Sequence, residues 1–217
     1  MKDQISLINR IKAPELTTAM LLGILSEYRD PRKKINSLVR NGVIKPVKQG
    51  VYIASDKLGL RPFSKEIIAN LIYGPSYISL ETALSYYGII PEKVTATTSV
   101  CLGRGKLFTT EIGRFQYHHL KDAIYSCGVQ LKEIYKDAYC QYACPEKAIL
   151  DFLYLRETKG TFRQAKEYFE YILDSYRLDL KTIEKLISAK KLKTLSKLYT
   201  NQNIHWVVDE LIGKSRK

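Results

Sequence analysis

No stretch of this 217-residue chain approaches the roughly 18 to 20 consecutive apolar residues of a membrane-spanning helix. The opening segment MKDQISLINR alternates charge with apolarity and offers no secretory h-region, so the expectation is a cytoplasmic protein that makes no membrane contact. Cysteine is scarce. Cys101, Cys127, Cys140 and Cys144 are irregularly spaced, which argues against a disulfide framework and for four reduced thiols. A phosphate loop is missing too: the basic turn GRGK, residues 103–106, lacks the four-residue spacer and the following Ser or Thr.

Catalytic and metal-binding constellations are equally thin. Cys140 and Cys144 form one C-x3-C pair and His118-His119 sit elsewhere, whereas a structural zinc site usually needs two compact pairs. A Cys-His nucleophile needs a third, orienting group that nothing here supplies. The triplets Pro91-Glu92-Lys93 and Pro145-Glu146-Lys147 set Glu and Lys side by side, without the intervening residue of a nuclease strand. The expectation is therefore no cofactor, no metal and no enzyme. A nuclease or transferase hidden in residues 75–155 is the competing class, and it would depend on His118 or Glu92.

What the chain does have is positive charge, formally +13, and it is segregated. Residues 1–61 carry 12 Lys and Arg against 5 Asp and Glu; residues 62–155 carry 9 of each; residues 156–217 carry 14 against 8. Two basic blocks flanking a neutral middle point to a polyanionic partner, most simply a nucleic acid.

The first block parses into short helices and a hairpin. Ile5, Ile8 and Ile11 recur at helical spacing over residues 2–12. The segment LTTAMLLGIL offers Thr17 or Thr18 as N-cap and Met20, Leu21, Ile24 and Leu25 as an apolar set. A third helix has Asp30 to cap it, Pro31 at its first position and Asn41-Gly42 to close it. At about 100 degrees per residue, Ile35, Leu38 and Val39 turn inward while Lys33, Asn36, Ser37 and Arg40 share the opposite side. Arg and Lys suit guanine edges and phosphates, Asn suits adenine, and Ser permits close approach; Arg32 and Lys34 flank this face for phosphate contacts.

GVIKPVKQGVYIAS then alternates as a two-stranded ribbon turning at Lys48-Gln49-Gly50, with Pro46 suited to an edge strand. Short helices followed by a basic-tipped hairpin predict a winged helix-turn-helix over residues 1–61, its third helix reading the major groove and Lys45, Lys48 and Gln49 on the wing. The same fold serves RNA or protein partners in an alternative reading; sequence-specific, salt-dependent binding to the promoter of its own gene separates the two.

Thr17-Thr18-Ala19, the run RKKINSLVRNGVIKPVKQGVYIAS, the segment YISLETALSYYGIIPE and the helix CPEKAILDFLYLRE with its Lys-Ala-x-x-Asp together resemble the AbiEi antitoxins of abortive-infection (type IV) toxin-antitoxin systems. The resemblance covers about residues 14–160. It implies a winged-helix regulator that binds inverted repeats of double-stranded DNA in its own promoter, represses the operon, and counteracts a nucleotidyltransferase-like toxin without a stable complex. Some members are solitary regulators without a toxin.

Residues 62–217 are expected to form a mixed α/β second domain, beginning after the Gly- and Pro-punctuated KLGLRP. Its elements are a Ser64-capped helix over residues 62–73, a helix at 80–87 with Tyr77, Tyr86 and Tyr87 read as core or interface, and a small antiparallel sheet from Val94 to Tyr117. A helix follows from Pro145 with Lys147 and Asp151 read as a surface pair, and lysine-rich terminal helices close the chain. The fold class is α+β.

Overall fold

The computed structural model of the chain describes residues 10–156 and 164–214. They divide into two compact units, one of residues 10–73 with 109–112 and the other of 74–108 with 113–156 and 164–214. The architecture is α+β.

In the first unit, β1 (Glu15–Thr17) leads into α1 (Thr18–Ile24), then α2 (Pro31–Arg40) and the hairpin β2 (Ile44–Lys48) and β3 (Val51–Ala54). The three strands pair antiparallel in the order β1-β3-β2, so β2 is an edge and its Pro46 removes no ladder donor from a central strand. Strand β1 has no counterpart among the sequence expectations. Three residues are too few to show a period of two, and their pairing partner lies more than thirty residues further on. The helix expected over residues 2–12 falls largely outside the described residues, and Ile11 and Lys12 are irregular, although Ile11 is buried. Thr17 caps α1 by accepting from the Met20 N–H at 3.2 Å. Leu21 and Leu25 of the expected apolar set are buried, while Met20 faces solvent.

Helix α3 (Lys65–Ile72) belongs with this first unit rather than with the second, which moves the boundary from the expected 61/62 to Tyr73. The physical tie is Glu15. Its buried carboxylate takes the Arg61 guanidinium at 2.8 and 2.7 Å and the Ser64 N–H at 2.6 Å. Ser64 caps α3, accepting from the Ile67 N–H at 3.1 Å.

The second unit is larger and its sheet is mixed, not small and antiparallel. It has six strands in the order β6-β7-β5-β4-β9-β8: β4 (Ser76–Ile78), β5 (Ala96–Cys101), β6 (Lys106–Thr110), β7 (Gly113–His119), β8 (Val129–Tyr135) and β9 (Ala138–Ala143). Strands β5 and β7 run parallel, as do β4 and β9, whereas β4/β5 and β8/β9 are antiparallel. Parallel pairing joins segments distant in the chain, so local alternation carries no sign of it.

Around this sheet lie α4 (Leu80–Tyr86), the short α5 (Asp122–Tyr125), α6 (Pro145–Leu155), α7 (Ala165–Ser175), α8 (Leu180–Leu186), α9 (Ala189–Ser196) and α10 (Gln202–Lys214). The lysine-rich run LDLKTIEKLISAKKLKTLSKLY forms two helices that meet at Ile187-Ser188. Buried Glu146 accepts the Ser188 N–H at 2.9 Å, and Ser188 begins a new helix.

Helix α6 is buried from Glu146 to Leu153. Lys147 and Asp151 are therefore not a surface pair. Their side chains are 1% and 0% exposed and 2.8 Å apart. The Lys147 ammonium also donates to the Ile124 carbonyl at 2.7 Å and to the Tyr199 hydroxyl at 2.9 Å. Asp151 accepts the hydroxyls of Tyr77 at 2.9 Å, Ser79 at 2.8 Å and Tyr199 at 2.7 Å. With opposite charges compensated and most hydrogen-bonding capacity used, the burial is tolerated. Burial and the Asp151 charge push both tyrosine hydroxyls far up from their ordinary pKa, so they stay protonated donors.

Candidate nucleic-acid interface

Helix α2 exists because both its ends are locally satisfied. The Asp30 side chain accepts the Lys33 N–H at 3.0 Å and Pro31 occupies the first turn, where a missing donor costs nothing. At the other end the Asn41 N–H bonds the Ser37 carbonyl at 2.9 Å. Gly42 adopts φ 64°, a left-handed conformation that lets the Val43 N–H return to the Leu38 carbonyl at 2.9 Å.

Ile35 and Leu38 are buried in a core with Ile11, Leu16, Leu21, Leu25 and Ile44, and Val39 packs against it. This fixes the rotation of α2 about its axis. Arg32, Lys33, Asn36 and Arg40 are consequently exposed, and Ser37 is half-buried with its hydroxyl 3.5 Å from the Asn41 amide. Arg40 in the last turn also complements the helix dipole. Lys34 differs from its neighbours: its ammonium lies 4.9 Å from the Tyr28 ring centroid, a cation-π contact that holds it back against the protein.

On the hairpin, Lys45 and Gln49 are exposed. Lys48 is half-buried and donates to the Ile72 carbonyl at 3.0 Å, so its ammonium is engaged with the end of α3 rather than presented at the tip. The hairpin is held in place. Beyond its pairing with β1, the carbonyl of Gly50 accepts the Thr18 N–H at 2.9 Å, tying the turn to the start of α1. Asn41, treated in the sequence only as a helix terminator, extends the exposed polar surface beside Ser37; its spacing of four from Ser37 was the available signal.

Among the described residues no three His, Cys, Asp or Glu side chains converge in a manner that would hold a metal ion. Cys101, Cys140 and Cys144 are buried free thiols. Glu92 pairs with Arg177 at 3.1 Å. No described helix is long and apolar enough to cross a membrane.

No family model matches the chain, and no curated protein matches it. Among solved structures it is similar to the crystal structure of the RV2827C protein from Mycobacterium tuberculosis, with a TM-score of 0.60 at 13% identity over 99% of this chain and 76% of that one. At that identity the likeness is one of fold.

Proposed function

We propose that the first unit is a winged helix-turn-helix that binds double-stranded DNA, with α2 in the major groove and the β2–β3 hairpin beside the adjacent backbone. The observation that carries this reading is the exposed face of Arg32, Lys33, Asn36 and Arg40 on a helix whose rotation is fixed by Ile35 and Leu38 in the core. A face so held presents hydrogen-bonding groups in a constant register, as base recognition requires. Lys45 and Gln49 lie on the exposed hairpin, where backbone contacts belong.

In this reading the protein is a transcriptional regulator acting on its own promoter. The resemblance of residues 14–160 to AbiEi antitoxins extends the proposal to an operon shared with a nucleotidyltransferase-like toxin that the protein counteracts without binding it stably. The deciding experiment is titration of the purified chain onto DNA from upstream of its own gene against scrambled DNA of equal length, at several salt concentrations. Sequence-specific, salt-dependent binding supports the reading; equal affinity for both DNAs overturns it. The antitoxin half is tested by co-expression with the neighbouring gene: rescued growth supports it, and persistent toxicity removes it.

A further inference from the structure

After Glu184 of α8 the next acidic residue in the chain is Asp209, and residues 185–208 between them carry five lysines and no Asp or Glu. A solvated helix is usually laced with both signs of charge, as α7 is, where Lys166 and Glu170 pair at 3.9 Å one turn apart. Helix α9 has no acidic residue of its own.

Packing decides where the lysines of α9 point. Leu192, Leu195 and Ser196 are buried and take up one side of the helix. Lys190, Lys193 and Lys197 fall within about 60 degrees of one another on the side away from them, and all three are exposed. Lys197 is the C-cap residue but keeps helical φ and ψ of −60° and −19°, so it continues the row. Lys191 is turned elsewhere and meets the buried Glu146 carboxylate at 3.2 Å. The other three make no ion pair among the described residues.

This row repels itself. Side chains three and four apart on a helix are neighbours, about 5–6 Å between Cβ atoms, and like charges at that spacing are unfavourable. A free phosphate or a single carboxylate relieves one ammonium. A nucleic-acid duplex, with one charge per about 1.7 Å of its axis, relieves all three and releases counterions as it does so.

The residue types also say what kind of contact it is. Residues 189–197 contain no Arg, Asn or Gln to read a base edge, and Thr194 donates its hydroxyl to the Lys190 carbonyl at 2.9 Å. Lysine is a compact charge on a flexible stem, which follows a phosphate without fixing an orientation.

We propose that α9 is a second DNA contact, in which Lys190, Lys193 and Lys197 bind the phosphate backbone of the duplex without reading bases. For its ligand this assignment rests on the DNA-binding reading of the first unit; its residues are separate.

The test is titration of the full-length protein onto its upstream DNA, onto scrambled DNA of equal length and onto a single-stranded RNA, each at several salt concentrations. The triple variant Lys190→Gln, Lys193→Gln, Lys197→Gln is expected to bind both DNAs at least tenfold more weakly at low salt. Its slope of log K against log salt should be smaller by about 2–3, since each phosphate contact contributes about 0.9. The ratio of the two DNA affinities and the melting temperature should not change. A second variant, Lys93→Gln, Lys121→Gln, Lys136→Gln, removes the same charge from scattered exposed positions of the second unit and should lower the slope by less than about one. An unchanged slope in the α9 variant, equal losses in the two variants, or a loss seen only with the RNA overturns the proposal. Absence of operator preference in the wild type counts against α2 alone, because the α9 contact is read on scrambled DNA as well.

Discussion

Lys147 and Asp151, one turn apart on α6, form an ion pair at 2.8 Å with both side chains withdrawn from solvent. The pair joins β4, α6 and the residues after α9, because Tyr77, Ser79 and Tyr199 all donate to the same carboxylate. Lys147→Met removes the cation and leaves Asp151 buried with a charge uncompensated. The expected loss is about 3–5 kcal/mol of unfolding free energy, measured by urea denaturation. Lys191→Met removes a half-exposed partner of Glu146 at 3.2 Å and should cost far less.

Asn36→Ala and Arg40→Ala each remove one group from the exposed face of α2. Each should cost about 1–3 kcal/mol of affinity for the operator and relax the preference at one base position, read by competition among single-base operator variants. Neither should alter the melting temperature appreciably, since both side chains are exposed.

Lys45 and Lys48 should separate although they share a strand. Lys45→Ala is expected to weaken all DNA alike and reduce the salt slope by about one. Lys48→Ala, whose ammonium is bonded to the Ile72 carbonyl, should lower stability and change the salt slope less. Equal salt slopes for the two variants would show that Lys48 reaches phosphate.

A fragment ending at Tyr73 should fold more stably than one ending at Arg61. The shorter piece lacks the Ser64 N–H that Glu15 accepts and the α3 side chains Ile68 and Ile72, both buried. Thermal unfolding followed by circular dichroism decides between them.

His118 supplies the pH dependence. Burial first, and then the positive charge of Arg156, lower its pKa below the ordinary histidine value, with Glu81 pulling the other way. The unfolded chain therefore binds the proton more readily than the folded one. The associated stability is fully present above about pH 6.5 and is lost as the pH falls toward the lowered folded value. Urea midpoints between pH 7.5 and 5 should decline, and His118→Gln should flatten part of that decline. An NMR titration showing the His118 ring already charged at pH 6.5 would sink this assignment.

Much of the first unit could be read from the chain because its determinants are local. Asp30, Pro31 and Gly42 set the ends of α2, Thr17 starts α1, and Ile35 with Leu38 orients α2, all within a few residues of one another. The engagement of Lys48 and Lys34 could not be read, since their partners, Ile72 and Tyr28, are brought to them by folding. In the second unit the helix at α4 and the N-terminal Pro of α6 were legible, but strands β8 and β9 were not. Leu131 and Tyr139 are exposed on them, so the apolar alternation does not report burial.

The sequence by itself determined the segregated charge, the caps and breakers of the short helices, and the outward direction of Lys33, Asn36 and Arg40. These follow from backbone preferences and helical period, which act over a turn or two. Tertiary structure alone decided that Lys147 and Asp151 are buried, that β5 pairs parallel with β7, and that Glu81 and Arg156 form an ion pair. Such outcomes depend on which distant surfaces exclude water from one another. An i, i+4 charge pair looks the same in sequence on a solvated face and in a core.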